Sequence, residues 1–232
     1  MSVPLYTKIH DSLKSDIEKN RWEVGKKLPS EREMAASFDV NRATLRQAIR
    51  ALCDEGILEQ RVGSGTYVVG QRVREKMRGT TSFTEIITAQ GKVPTSRIIS
   101  YQKVLANEVE REKLQLPTDS KIIKMERIRY ADAQPICFEV ACIPADIAAD
   151  LEKEEMTHHF FQSLIERGKK IGRSEQTISS KNAAQELADY LKIKSGSAIL
   201  AVVQVSYFAD DKPFEYVLSS YAGDRFEFYL ER

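Results

Sequence analysis

The 232-residue chain contains 42% hydrophobic residues, 11 Gly and 7 Pro, which is typical of a folded globular protein and excludes a collagenous, coiled-coil or wholly disordered chain. No apolar run approaches the roughly 18 to 20 residues of a membrane span, and the N-terminus lacks a signal-peptide pattern, so we expect a cytoplasmic protein with no membrane partner. Cys53, Cys137 and Cys142 have neither the even number nor the spacing of a disulfide framework or zinc site. The sequence therefore predicts reduced thiols, with no metal and no cofactor.

Charge is distributed unevenly along the chain. The formal net charge is only +1, whereas nucleic-acid-binding domains are usually strongly basic. Residues 1–70 carry 11 Lys and Arg against 10 Asp and Glu, residues 71–79 carry 4 against 1, and residues 80–232 carry 20 against 23. We therefore predict a near-neutral domain over 1–70, a basic linker over 71–79 and a slightly acidic domain over 80–232.

The first 56 residues predict three helices. After Pro4, apolar residues recur every four positions, which indicates one amphipathic helix: Leu5, Ile9, Leu13 and Ile17. Ser30 and Glu33 have the spacing of a capping box for a second helix. Asn41 suits the N-cap of a third helix that ends at Gly56.

The third helix has its basic residues sorted onto one face. Arg42, Arg46 and Arg50 are four residues apart, and no acidic residue lies between Asp39 and Asp54. A plain solvated face is the alternative, but it would normally carry Glu residues that pair with these arginines. A short helix, a tight turn and a third helix of this kind are typical of a helix-turn-helix, in which the last helix enters the major groove.

Two short strands are predicted over 57–61 and 66–69, joined by a glycine-rich turn. A two-stranded hairpin is marginal alone, so it must pack on the helices as a wing. Gly63 and Gly65 lack a Cβ, so the hairpin tip can approach a phosphate or a narrow groove. Alternatively, these glycines serve only the turn.

Residues 4–69 resemble the GntR family of bacterial transcription regulators. The resemblance is carried by Leu28-Pro29-Ser30-Glu31-Arg32-Glu33, Asn41-Arg42-Ala43-Thr44-Leu45-Arg46-Gln47-Ala48, Gly56-Ile57-Leu58 and Gly63-Ser64-Gly65-Thr66-Tyr67-Val68. It implies contacts with double-stranded operator DNA by the following residues: Arg32, Arg42 and Arg46 with guanines or phosphates, Asn41 and Thr44 with phosphates, and Gly63 and Gly65 in the minor groove. Arginine suits guanine because its paired donors match O6 and N7.

Beyond residue 79 the pattern predicts an α+β domain around an antiparallel sheet. Strands are expected over 97–103, 122–130, 136–143, 171–180, 199–208, 214–221 and 226–230. Helices are expected over 83–90, 108–114, 159–167 and 183–191. Turns at 132–135 and 210–213 are short, which favours antiparallel neighbours.

This second part resembles the UTRA effector domain of the HutC branch of GntR regulators, whose fold is similar to chorismate lyase. The resemblance is carried by Gly79-Thr80-Thr81-Ser82-Phe83-Thr84-Glu85, Glu126-Arg127-Ile128-Arg129-Tyr130, Glu139, Pro213-Phe214-Glu215-Tyr216 and Tyr221-Ala222-Gly223-Asp224-Arg225-Phe226. It implies a domain that binds a small effector, commonly a phosphorylated sugar or another small metabolite. We also expect this domain to join two copies of the chain in a homodimer.

The residues independently indicate an anion pocket. Residues 80–82 precede a helix, so free amides, hydroxyls and the helix dipole can converge on an anion. Arg127 and Arg129 alternate on a strand and share one face, where an anion would satisfy them and Glu139 could take sugar hydroxyls or an amide. The alternative is that both arginines pair with acids on an exposed face. The expected effector site comprises Ser82, Phe83, Thr84, Arg127, Arg129, Glu139, His159, Phe161, Glu215 and Tyr221.

Three positions depart from the family's usual pattern. Members that bind N-acetylglucosamine 6-phosphate tend to have Ser and Tyr where this chain has His159 and Phe161, and the family usually has Arg where this chain has Ala222. The favoured effector is an amino-sugar phosphate, N-acetylglucosamine 6-phosphate or glucosamine 6-phosphate. Another sugar phosphate or a non-sugar metabolite is the alternative.

Two other classes of protein were weighed. A lyase-like enzyme has no support, because His10 lies in the first domain and His158 and His159 project about 100° apart on a helix; no catalytic residue is expected. A winged helix used only for protein contacts is disfavoured by the arginine face. The sequence predicts a homodimeric repressor that presents two recognition helices to a palindromic operator and is released by its effector.

Overall fold

Contacts between residues divide the chain into two units, Met1–Arg72 and Val73–Arg232. The structure, a computed structural model, describes residues 4–19, 21–23, 25–69, 72–77 and 79–231. None of the helices in these ranges is long and apolar enough to cross a membrane.

The first unit is a three-helix assembly followed by a hairpin, as the sequence predicted. Its elements in chain order are α1 (Leu5–Glu18), α2 (Glu31–Ser37), α3 (Arg42–Asp54), β1 (Leu58–Arg61) and β2 (Gly65–Val68). Ser30 and Glu33 make both bonds of the predicted capping box. The core is buried between α1, α3 and the hairpin, and its fully buried side chains include Leu13, Leu45, Ile49 and Leu52.

The hairpin is stabilised by a third backbone segment that the sequence did not reveal. The N–H of Gly25 donates to the carbonyl of Val68 at 2.7 Å, and the N–H of Leu28 donates to the carbonyl of Thr66 at 2.8 Å. The approach to α2 therefore pairs with β2, which explains how a two-stranded wing is held on the helices.

The second unit is built on a six-stranded antiparallel sheet with strand order β4-β5-β6-β9-β8-β7. Its strands are β4 (Pro94–Leu105), β5 (Lys121–Ala131), β6 (Gln134–Pro144), β7 (Ile171–Asn182), β8 (Ala198–Phe208) and β9 (Pro213–Ala222). Its helices are α4 (Phe83–Thr88), α5 (Glu108–Leu114), α6 (Lys153–His158), α7 (Phe160–Glu166) and α8 (Gln185–Leu191). Both predicted turns join antiparallel neighbours, and the α+β prediction is confirmed.

Part of the predicted linker is a strand of the second unit. β3 (Val73–Lys76) pairs in parallel with β10 (Phe226–Tyr229). Within β3 the side chains alternate, with Val73 and Glu75 buried and Arg74 and Lys76 exposed. This strand is only four residues long, and the basic composition of residues 71–79 favoured a linker in the prediction. Gln71 and Arg78 of the predicted linker lie outside the described residues.

The helix predicted over 159–167 is α7 (Phe160–Glu166), and the sequence did not reveal the short helix α6 (Lys153–His158) directly before it. His159 ends α6 and precedes α7 with φ −134° and ψ 27°, outside the helical region. The prediction made His159 the first residue of a helix, whereas it is the corner between two short helices.

Candidate functional site

Helix α3 exposes a basic face, as predicted. Leu45, Ala48, Ile49 and Leu52 of this helix are fully buried, so Arg42, Arg46 and Arg50 lie on its exposed side. Among the described residues, Arg42 and Arg50 form no ion pair, whereas Arg46 donates from Nε to the Glu31 carboxylate at 2.7 Å. The acid that balances Arg46 therefore comes from α2, which no inspection of α3 alone could show.

The start of α3 is held by its own cap. The Asn41 Oδ1 accepts from the Thr44 N–H at 2.8 Å and from the Thr44 hydroxyl at 3.1 Å. Arg32 is exposed on α2. These three predicted DNA-contact residues lie around the first turns of α2 and α3, where helix termini present backbone N–H groups to an anion.

The two wing glycines differ in their surroundings. Gly63 has φ +72° and Gly65 has φ +119°, in the region that disfavours other residues. A Cβ at Gly65 would lie 2.6 Å from Cε of Lys27, whereas one at Gly63 would meet no atom within 4 Å. Turn geometry therefore accounts for both glycines, and a close side chain adds a second reason at Gly65. Neither reason excludes the predicted DNA contact.

The second unit contains a cavity of about 250 Å³ between the sheet and the helices α4, α6 and α7. This volume is just below the usual range for small-molecule pockets, roughly 300 to 1,000 Å³, so any ligand must be small. All ten residues of the expected effector site line it: Ser82, Phe83, Thr84, Arg127, Arg129, Glu139, His159, Phe161, Glu215 and Tyr221. The sequence did not single out other polar lining residues, among them Glu75, Thr157, His158, Gln204 and Ser219.

The hydroxyl of Ser82 is already engaged. It donates to the Glu85 carboxylate at 2.9 Å, and the Ser82 N–H donates to the same oxygen at 2.7 Å. Thr84 donates its hydroxyl to the carbonyl of His158 at 3.2 Å. The expectation that these hydroxyls and amides are free for an anion is therefore wrong for Ser82, because a capping box uses both of its donors.

Glu139 joins the two arginines on β5. Its carboxylate accepts from Nε of Arg127 at 2.7 Å and from Nη1 of Arg129 at 3.4 Å. All three side chains are buried. Burial opposes ionisation of Glu139, but the two guanidinium groups outweigh it and hold its pKa below the usual range. The alternative prediction, that both arginines pair with an acid on an exposed face, is correct about the acid but wrong about the exposure, because the three side chains are buried. Glu139 therefore serves as the partner of the two arginines.

The two arginines are bonded very differently. Arg127 also donates from Nη1 to the carbonyl of Thr157 at 2.5 Å, so it ties the end of α6 to the sheet. Within the described part of the chain, Arg129 makes only two hydrogen bonds, both long, to Glu139 and to the Thr84 hydroxyl, each at 3.4 Å. Its Nε is buried without a partner among the described residues. Burial and the neighbouring Arg127 lower the pKa of Arg129.

Arg129 is also stacked on an aromatic ring. Its guanidinium carbon lies 4.3 Å from the centre of the Phe83 ring, a favourable cation–π geometry. The side chain is 7% exposed. A buried guanidinium with long hydrogen bonds and an Nε that has no partner among the described residues is costly, so Arg129 is the group in the cavity that most needs an anionic ligand.

Three more carboxyl groups line the cavity, those of Glu75, Glu85 and Glu215. Burial raises the pKa of Glu75 and of Glu215 to about 7. His158, by contrast, has its pKa lowered by burial and by His159. The described residues include no group of three His, Cys, Asp or Glu side chains able to hold a metal ion. Cys53, Cys137 and Cys142 are free thiols.

Comparison with known proteins decides what this arrangement is. The family of bacterial regulatory proteins described as gntR matches residues 5–68, and the UTRA domain matches residues 89–227. The chain belongs to the GntR family. It combines the GntR winged helix-turn-helix with a UTRA effector domain, the arrangement of the HutC branch. Members of this family regulate transcription and are not enzymes.

Whole-length relatives agree with this assignment to the GntR family. The HTH-type transcriptional repressor NagR of Bacillus subtilis is 34% identical, over 99% of this chain and 96% of its own. The mannosyl-D-glycerate transport/metabolism system repressor MngR of Escherichia coli is 32% identical, over 98% and 95%. As a GntR regulator with a UTRA domain, the protein binds DNA through its first unit and an effector through its second.

Solved structures show the same fold. PhnF from Mycobacterium smegmatis matches with a TM-score of 0.77 and 27% identity, over 99% of both chains. A GntR-family regulator from Enterococcus faecalis V583 is 52% identical with a TM-score of 0.57, over 60% of this chain and 100% of that one.

Proposed function

We propose that this GntR regulator is a cytoplasmic repressor that leaves its operator when the cavity binds a small phosphorylated metabolite. The best candidate is an amino-sugar phosphate, either N-acetylglucosamine 6-phosphate or glucosamine 6-phosphate. The observation that carries the proposal is Arg129, a buried guanidinium in the cavity with an unpartnered Nε. A phosphate supplies the acceptors that Arg129 lacks, since guanidinium and phosphate groups match in charge and geometry.

Repression is supported by the relatives, because NagR and MngR both carry the word repressor in their names. We propose that two copies associate mainly through the second unit and present both α3 helices to a palindromic operator. Arg32, Asn41, Arg42, Thr44, Arg46, Gly63 and Gly65 are the proposed DNA contacts. The effector prefers the dimer whose DNA-binding units have the wrong spacing, and a coupling of about 1 to 3 kcal/mol is typical.

The test combines a melting-temperature screen with a gel mobility shift on DNA from upstream of the protein's own gene. A ligand that binds only the folded chain raises the melting temperature, so sugar phosphates, amino-sugar phosphates and non-sugar phosphates are compared. Compounds that raise it should also release the DNA. If no phosphorylated compound does either, the proposal fails; if only a non-sugar phosphate does, the amino-sugar assignment fails.

Arg129→Ala separates the two functions of the protein. This variant should still bind DNA but lose both the melting-temperature shift and the release. Arg97→Ala is the matched control, because Arg97 is an exposed arginine on the neighbouring strand β4. An Arg129→Ala protein that responds to the effector normally would show that the anion site is elsewhere. Sedimentation equilibrium tests the dimer, and a monomer at the concentrations that bind DNA would refute it.

A further inference from the structure

The charged groups of the cavity are separated across the sheet. Arg127 and Arg129 extend from β5, whereas Glu215 extends from β9, two strands away. Burial raises the pKa of Glu75, from β3, and the nearby side chain of Gln176, on β7 at the far edge of the sheet, opposes the rise. The cavity therefore has a cationic side at β5 and an acidic side, formed by Glu75 and Glu215.

Glu215 lacks a dedicated cation. It is 5% exposed, and among the residues that the structure describes its Oε2 accepts only from the Ser206 hydroxyl, at 3.3 Å. Its Oε1 has no hydrogen-bond partner among the described residues. The charged groups that influence it are Glu139, Arg127 and Arg129, and both arginines are already bonded to Glu139. One oxygen of a buried carboxyl group thus lies at the cavity without a partner.

Glu75 is also a buried carboxyl group, and its neighbour Gln176 is linked to Glu215 by hydrogen bonds. It is 6% exposed, and it forms no ion pair within the described part of the chain. Gln176 donates to Gln204 at 2.7 Å, Gln204 donates to the Ser206 hydroxyl at 2.9 Å, and Ser206 donates to Glu215. A row of neutral polar side chains therefore runs between the two carboxyl groups. Tyr221 is a titratable neighbour of Glu75.

The protonation of Glu75 and Glu215 follows from their surroundings. Burial raises the pKa of each to about 7, because a carboxylate without a cation is costly in a buried site. A bound phosphate alone would add negative charge and make their ionisation harder still. A ligand that also brings a positive charge would remove this cost, since each carboxyl group could then ionise against it.

We propose that the effector is a small zwitterion whose anionic group binds Arg129 and whose primary amine binds the acidic side, Glu75 and Glu215. This inference rests on the proposed function and narrows it: among amino-sugar phosphates it selects the free amine over the acetamide. The size of the cavity, about 250 Å³, limits the ligand to a single sugar phosphate or a molecule of similar size.

The test is isothermal titration calorimetry of the full chain at pH 7 with glucosamine 6-phosphate, glucose 6-phosphate and N-acetylglucosamine 6-phosphate. The first two differ only in an amine against a hydroxyl. Glucosamine 6-phosphate should bind at least tenfold more tightly than either of the others, roughly the effect of one charge-assisted hydrogen bond. Titration in two buffers of different ionisation enthalpy should show that it releases about one to two more protons than glucose 6-phosphate, because Glu75 and Glu215 ionise.

The variants Glu75→Gln and Glu215→Gln assign the amine site. Each should reduce the preference for the amine to below about threefold and reduce the proton release. The matched control is Glu126→Gln, because Glu126 precedes Arg127 on β5 and extends from the opposite face of the sheet. The control should retain the preference.

The outcomes separate this inference from the proposed function. Equal or tighter binding of glucose 6-phosphate or N-acetylglucosamine 6-phosphate would overturn the zwitterion and leave a phosphate-responsive regulator, in which neutral carboxyl groups contact hydroxyls or an acetamide. Absence of binding by all three compounds, together with every other phosphate tested above, would overturn both. If a Gln variant does not fold, the affinities of the three ligands for the unaltered protein still test whether the effector is a zwitterion.

Discussion

The side chain of Gln90 bonds both backbone groups of Arg74. Its carbonyl oxygen accepts from the Arg74 N–H at 2.9 Å, and its amide nitrogen donates to the Arg74 carbonyl at 3.1 Å. Gln90 follows α4, whose first turn lines the cavity, and Arg74 lies on β3, which begins directly after the boundary between the two units. The Gln90 side chain thus links α4, which lines the cavity, to the backbone of β3, the strand that follows the boundary with the DNA-binding unit.

We expect Gln90→Ala to weaken this junction. Loss of three hydrogen bonds, two to Arg74 and one from Nε2 of Gln90 to the Ile86 carbonyl at 2.8 Å, should lower the free energy of unfolding of the second unit by roughly 1 to 3 kcal/mol. We would measure it by urea denaturation and far-ultraviolet circular dichroism. If effector binding displaces α4, more effector should also be needed to release DNA, because the displacement is no longer passed to β3. Gln102→Ala, an exposed change on β4, is the control. Unchanged stability together with an unchanged effector response would show that these bonds have no role.

Arg46→Ala tests the assignment of the DNA-binding face. If Arg46 contacts a base or phosphate, operator affinity should fall by about 1 to 3 kcal/mol, with effector affinity unchanged, in mobility-shift and calorimetric titrations. Arg21→Ala is the control, because Arg21 is 68% exposed and follows α1 rather than lying on α3. Loss of effector binding in Arg46→Ala would contradict the separation of functions between the units.

Most helices and strands of this structure could be predicted from short sequence patterns. These predictions succeeded where residues close together in the sequence determine the local structure. Ser30, Asn41 and the turn at 132–135 act within a few residues, so their caps and hairpin were predictable. The alternation of Arg127 and Arg129 predicted one shared face because a strand has a period of two.

The remaining features depend on partners that are distant in sequence. Glu75 enters the cavity only because β3 pairs with β10, about 150 residues further along the chain, and four residues give too little alternation to identify a strand. Likewise, Glu31 reaches Arg46 from another helix. Arg127 has more hydrogen-bond partners than Arg129 because the end of α6 places the Thr157 carbonyl beside Arg127. The spacing of residues in the sequence does not indicate where α6 ends.

The stability of the DNA-binding unit should depend on pH through His10. A hydrogen bond with Asp11 and contacts with Glu55 outweigh burial and raise the pKa of His10 above its usual 6.5. A raised pKa means that the folded state binds the proton more tightly, so the contribution is complete below about pH 6.5 and is lost as pH rises through the folded-state pKa. The expected gain is about 0.5 kcal/mol, because the pair is partly exposed.

Fluorescence of Trp22 measures this effect in the intact chain. Trp22 is the single tryptophan of the protein and packs against the core of the first unit. Urea unfolding followed at Trp22 should give a higher free energy of unfolding at pH 6 than at pH 8. His10→Gln should remove the difference. A first unit that is more stable at pH 8 would reverse the assigned sign.

The C-terminal carbonyls of α8 depend on Arg225. This side chain donates to the carbonyls of Pro135 at 2.7 Å, Leu191 at 2.6 Å and Lys192 at 3.0 Å. Arg225→Met leaves these acceptors without the charged donor, so we expect a loss of about 2 to 4 kcal/mol in urea denaturation. Arg97→Met, on the exposed side of β4, should change stability by less than about 0.5 kcal/mol.

The contrast between Arg127 and Arg129 gives the last prediction. Arg127→Met removes a saturated buried partner of Glu139 and the bond to the carbonyl of Thr157, so the second unit should lose about 3 to 5 kcal/mol. Arg129→Met removes two long bonds and an unpartnered Nε, while Arg127 still neutralises Glu139. Its cost in urea denaturation should be below about 1 kcal/mol, because an apolar side chain avoids the desolvation of a guanidinium. Equal losses in the two variants would mean that Arg129 is a structural group, and the cavity would lose its principal anion-binding residue.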